Sequence, residues 1–194
     1  MSHNGRAIVQ VSPSAPLLLA LFVMLSSPLL LAALLLAALG HELGHYAALR
    51  RLRGHVTVIR VTALGAEMQV SGRLSYGGEL LAAMAGPAAN LILALLLACA
   101  GRFWDTLYLF AGAQLVLGAF NLLPILPLDG GSMLWTLLAW LTEPYTADRI
   151  TRCTGFCIAA ALMLAAVVML RMGGSPFLLL AAAGIFCHAV RGVN

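Results

Sequence analysis

The sequence predicts an all-α polytopic membrane protein of about six transmembrane helices, with a small β-hairpin or sheet inserted after the second. Three observations predict it. The 194 residues are 62% hydrophobic and 9% charged, with a mean hydropathy of +0.98, outside the range of soluble globular domains. The arginines lie at the ends of apolar runs, and a chain of this length holds about six spans at ~20 residues each with little left over. A single integral domain over residues 1–194 is therefore expected.

Taken in order, a polar lead (1–14) precedes an apolar stretch from Ala15 to Leu25, closed by Ser26-Ser27-Pro28. With Arg6 upstream it resembles a signal-peptide core. Ser26-Ser27-Pro28 makes a poor cleavage site, so an uncleaved first helix is expected over about 13–27. The second helix, about 29–50, is ~33 Å long at ~1.5 Å per residue, enough to span. Residues 54–73 then change character. Val56, Val58, Val61, Thr62 and Val70 are β-branched, and Gly65 offers a turn between two short runs. Helices are expected from Leu80 to Gly101 and from Thr106 to Phe120, and again from Gly130 to about Leu141 after a break rich in proline and glycine. Peripheral spans at about 150–171 and 175–190 complete the set. No internal repeat or low-complexity tract is present.

The formal net charge of +4 comes from eleven arginines and no lysine. They form no basic stripe interleaved with aromatics, which excludes a nucleic-acid surface. Arg6, Arg50, Arg51, Arg53, Arg60, Arg73, Arg149, Arg152 and Arg191 fall on one side of the predicted spans, and Arg102 and Arg171 on the other. That bias predicts a multi-pass protein of the cell (plasma) membrane with both termini cytoplasmic. Cys99, Cys153, Cys157 and Cys187 make no CxxC pair, so neither a disulfide framework nor a zinc knuckle is supported, and Cys153 and Cys157, which share a helix face, are expected as small apolar core residues.

His41-Glu42-Leu43-Gly44-His45 follows directly on the unbroken apolar run Leu29–Gly40. Histidines at i and i+4 share a helix face and can hold one zinc ion, with the enclosed glutamate beside them as a proton acceptor. Ionisable groups at membrane depth are costly unless they face a cavity, a metal or one another. Catalytic zinc takes three protein ligands and keeps a position open. Asp129 is the leading candidate for the third, since it stands between a Pro-interrupted segment and Gly130-Gly131, where non-helical backbone must line a cavity. Helical rise puts His45 and His41 about 8 and 14 Å below Arg50, Asn90 about 15 Å below the start of its helix and Asp129 about 20 Å from Glu143, so a shared depth in the cytoplasmic half of the bilayer is expected.

Three segments, His41–His45, Ala85-Gly86-Pro87-Ala88-Ala89-Asn90 and Asn121-Leu122-Leu123-Pro124-Ile125-Leu126-Pro127-Leu128-Asp129-Gly130-Gly131, together resemble the motifs of the site-2 protease family (peptidase M50) in order and spacing. The resemblance covers about 29–142 and is closest to the compact bacterial type of the stage IV sporulation FB protease. The C-terminal regulatory CBS domain usual in that type is not expected here. The resemblance implies an intramembrane zinc metalloprotease with one Zn2+ per chain, bound by His41, His45 and Asp129, with Glu42 as general base and later proton donor. Asn90 and Asn121 match the family's asparagines, which implies either substrate binding or interhelical ties. The implied partner is a membrane protein cut within or near a transmembrane segment, with a regulatory membrane protein besides.

A substrate helix shields its own peptide bonds, so it must be extended before attack, and an exposed edge in the strand-like 54–73 region is expected to pair with it, to be tested by proline across Val56–Val61. The alternatives are a non-catalytic membrane adaptor of the same fold and, less favoured, a metal transporter. Intact Glu42 argues against the first, and the lack of donors toward the far face argues against the second.

Overall fold

In a computed structural model the chain is described at residues 8–13, 26–62, 65–72, 74–173 and 176–193, and at Pro16, Ala20 and Val23. It is mostly helical, and divides into two compact units, 1–120 and 121–194.

The first unit holds strands β1 (Ile8–Val11), β2 (His55–Thr62) and β3 (Gly65–Ser71) and helices α1 (Pro28–Arg51), α2 (Tyr76–Ala100) and α3 (Thr106–Asn121, whose last residue is assigned to the second unit). Helix α1 starts where Ser27 caps it, Oγ accepting from Leu30 N at 3.3 Å, with Pro28 supplying a φ suited to the first turn. It ends on Arg50 and Arg51, whose charge suits the carbonyl end. Ser75 caps α2 in the same way, accepting from Gly78 N at 3.2 Å.

The buried faces recur every fourth residue and are made of small side chains: Ala33, Ala37 and His41 on α1, and Ala82, Gly86, Asn90 and Ala94 on α2. Ala33 and Ala37 pack on Ala113 of α3, flanked by Leu34, Phe110 and Leu117. Large apolar side chains such as Leu35, Leu36, Leu39, Leu95 and Leu96 point outward. Among the described residues, eleven of the fifteen buried hydrophobics are alanine. In lipid there is no gain in hiding leucine, and small residues let helices approach, so this inside-out distribution is that of a membrane protein. On the turn between α2 and α3, Phe103 and Trp104 are strongly exposed, as interfacial aromatics are.

The sheet has three strands in the order β1-β2-β3. β2 pairs antiparallel with β3, with a bulge between Val56 and Val58, and β1 pairs parallel with β2 in the register Ile8↔Val58 to Val11↔Val61. Strand β1 lies in the stretch read as a polar lead, where no strand was expected. β2, which holds Val56–Val61, is thus central and paired on both sides, and within 54–73 the outer strand is β3.

The second unit holds helices α4 (Asp129–Leu141), α5 (Pro144–Arg171) and α6 (Pro176–Val193). α5 begins six residues earlier than expected because Pro144 is well placed at a helix's first position. It buries Ala147, Thr151, Gly155, Ala159 and Ala166, and Phe156 meets Phe186 of α6 with ring centroids 5.7 Å apart.

The expectation of six spans is met in part. Among the described residues three helices, α1, α2 and α5, are long and apolar enough to cross a membrane. α3 has 16 residues and α4 has 13, the latter about 20 Å long and stopped by Thr142-Glu143-Pro144. The helix expected at 13–27 falls largely outside the described residues. The expectation for Cys153 and Cys157 is also corrected: both are exposed, because the buried face of α5 is filled by Ala, Gly and Thr instead.

Candidate metal centre

The regular geometry of α1 carries His41 and His45 on one face, one turn apart. His41 is buried, and its Nδ1 lies 2.6 Å from Asn90 Oδ1 on α2. The orientation of that amide follows from its other end. Asn90 Nδ2 donates to the carbonyl of Ala37, at 3.0 Å, and to Gln114 Oε1 on α3, so the oxygen faces His41 and receives the Nδ1 proton. His45 Nδ1 is 2.8 Å from the carbonyl of Ala82, which can only accept, so His45 also carries its proton on Nδ1.

Both rings therefore present the Nε2 lone pair, and the two Nε2 atoms face each other 3.1 Å apart with the rings at 80°. Two lone pairs repel at that distance, and a shared cation removes the repulsion. Tetrahedral zinc at ~2.0–2.1 Å from each nitrogen would separate them by about 3.3 Å, close to what is seen. The histidine pair thus fits a zinc ion in spacing and in tautomer.

Glycines make room for this arrangement. A Cβ on Gly86 would run into the imidazole of His45, so the ring lies directly over the α2 backbone. A Cβ on Gly44 would sit 2.6 Å from the carbonyl oxygen of Ala85, and one on Gly118 3.0 Å from Cβ of Asn90. These are the close approaches by which α2 and α3 reach the histidine face.

Glu42, half-buried, follows His41 and so projects about 100° further round the helix. In the second unit, Asp129 is the first residue of α4 and is half-buried. It does not cap that helix: Leu128 occupies the cap position, without a side-chain hydrogen bond. The loop before it is wound tightly, with Ile125 N donating to Leu123 O and Leu128 N to Ile125 O, each at 2.8 Å, and Ile125 fully buried. A Cβ on Gly131 would lie 2.5 Å from backbone atoms of Ile125 and Leu126, so the start of α4 is pressed against its own loop. The expected ligands are thus divided between the units, His41 and His45 on one helix face of the first and Asp129 at the start of α4 in the second.

Of the two asparagines, Asn90 is fully buried and uses both its oxygen and its amide nitrogen within the protein; Asn121 ends α3 and is half-buried. Gln114 was missed by sequence reasoning. Its signal was a lone amide in the apolar run Phe110–Phe120, where a polar side chain needs a buried partner.

A model of peptidase family M50 matches residues 98–166, a span that contains Asn121 and Asp129 but not the histidine motif. A zinc metalloprotease of Methanocaldococcus jannaschii is 28% identical over 131 residues, which is 64% of this chain and 38% of that protein, so the chain spans well under half of the relative's length. The solved site-2 protease from Methanocaldococcus jannaschii superposes with a TM-score of 0.75 at 22% identity, covering 100% of this chain and 94% of the other, and shares its fold.

Proposed function

We propose that this chain, as a relative of peptidase family M50, is a zinc metalloprotease that hydrolyses a peptide bond within or near a transmembrane segment of a membrane protein. The observation that carries the proposal is the histidine pair: both Nδ1 protons are engaged by acceptors, and both Nε2 atoms are turned to one point. His41, His45 and Asp129 are read as the ligands. Zinc bound there would supply Lewis acidity, making water a competent nucleophile at neutral pH and polarising the scissile carbonyl.

The protein's own part is to hold and move protons. Glu42, beside the ligand face, takes a proton from the attacking water and returns it to the leaving amine. Asn90, with its amide used inside the fold, acts on His41 instead of on the substrate. Asn121 is read as the amide that binds substrate backbone or the oxyanion. The arginine distribution supports cytoplasmic termini and a site in the cytoplasmic half of the cell membrane, which would release the product fragment to the cytosol.

Replacing Glu42 with glutamine tests the proposal. Cleavage of a co-expressed membrane substrate should fall by about 10²–10⁴-fold while one zinc per chain is retained. Unchanged release of cytosolic fragments by that variant would leave a non-catalytic adaptor as the better reading.

Strand β3 supports a way of presenting the substrate. It is an outer strand of the sheet and could accept an extended segment by backbone pairing. Because β2 is central, proline within Val56–Val61 would break the sheet itself, and the informative substitutions lie in Gly65–Ser71. Proline at alternate positions there should lower cleavage by about tenfold or more at unchanged zinc content, since each removes one ladder donor. If proline at every position of β3 left cleavage intact, pairing at this edge would be discarded.

A further inference from the structure

Gln114 has no part in the ligand set, and it is buried in the middle of α3 at 4% exposure. Its neighbours on the buried face of that helix are Ala111, Ala113 and Gly118, none of which can satisfy an amide side chain. Its Oε1 accepts from Asn90 Nδ2, whose amide oxygen accepts from His41 Nδ1. A chain of hydrogen bonds thus runs from α3 through α2 to the histidine on α1.

We propose that Gln114 is a positioning residue for the metal centre: its side-chain oxygen fixes which way the Asn90 amide faces, and through it the tautomer and direction of His41. The inference rests on the metalloprotease reading above. An asparagine amide turned by half a revolution would present N–H to His41 Nδ1, which would then have to accept. The His41 proton would move to Nε2 and remove that atom as a ligand. Two acceptors hold the nitrogen side of Asn90, Gln114 Oε1 and the carbonyl of Ala37. The Ala37 carbonyl also lies within α1, where helical geometry commits it to the backbone ladder. Gln114 is the side-chain acceptor whose loss leaves the Asn90 amide held by that shared carbonyl alone. The close seat of Gly118, whose Cβ would meet Asn90, keeps α3 near enough for the bond to form.

The test uses the full chain in detergent micelles. Zinc affinity is read by competition with a chelating dye, and site geometry by the visible absorption of cobalt(II)-loaded protein. Gln114→Met keeps the length and removes the acceptor, and should weaken zinc binding by about 10–100-fold with an altered cobalt spectrum. Gln114→Asn, a smaller change for the fold, shortens the reach to Asn90 and should lose a similar factor. Gln114→Glu keeps an oxygen in place and should stay within about threefold of the parent, with the parent's spectrum. The proposal is overturned if the Met and Asn variants bind zinc within about threefold of the parent, or if Glu loses as much as they do. A parent protein that binds no zinc would instead refute the metalloprotease reading.

Discussion

His41 and His45 are held by a different means from Asp129, and the contrast shows what each of the proposed ligand groups tolerates. The histidines project from an unbroken helix, and their rings are aimed by acceptors on neighbouring helices, Asn90 Oδ1 and the Ala82 carbonyl. Asp129 is aimed by backbone. It follows a tightly wound loop and opens a helix whose next two residues are glycines packed against that loop. A direction set by side-chain partners should degrade step by step as partners are removed, because each contributes a separable hydrogen bond. One set by a packed backbone should fail together with its local fold.

The largest effect is expected in the backbone-held half. Gly131→Ala places a methyl 2.5 Å from main-chain atoms that cannot swing away, and should destabilise the second unit by about 1–3 kcal/mol or more, with metal content well below one zinc per chain. Thermal unfolding in detergent and metal analysis read both; full stability with full zinc would show that the loop is not clamped.

Next in size is Gly86→Ala, whose methyl displaces the His45 ring and not the helix. Zinc affinity should drop by at least about tenfold while circular dichroism keeps the parent's helicity. A collapse of helicity in that variant would erase the distinction between the two halves.

The smallest effect sharpens the helix-held half. On α3, Gly118→Ala meets Cβ of Asn90 at 3.0 Å and should cost about 1 kcal/mol, whereas Gly112→Ala meets nothing within 4 Å and should gain about 0.5–1 kcal/mol from helix propensity. Equal shifts in unfolding temperature would mean that the approach of α3 to Asn90 is not tight.

Much of the centre is local and was therefore legible. A histidine pair at i and i+4 shares a face in any α-helix, so the run His41–His45 needed no tertiary information, and the helices at 28–51, 76–100, 106–121 and 129–141 lie close to where apolar runs and Pro/Gly breaks put them. Strand β1 was not legible. Ile8–Val11 is too short to stand out from the polar lead, and it becomes a strand by pairing with β2, a partner 50 residues along the chain. Composition registers total apolar length and not where each helix stops, so among the described residues three of the six expected spans are long enough, while α3 and α4 stop short of a bilayer's thickness.

The amino-acid order alone determined that this is a helical membrane protein, that two imidazoles share one helix face with a carboxylate beside them, and that Asp129 sits at a break enforced by proline and glycine. These follow from periodicity, propensity and the cost of burying charge, which act over a few residues. Only the tertiary structure decided which nitrogen each histidine presents, that Asn90 and Gln114 join His41 in one chain of hydrogen bonds, and that the His45 ring lies over Gly86. Those depend on which donor meets which acceptor across helices, and a hydrogen bond between residues 24 or 49 positions apart leaves no periodic trace in a sequence.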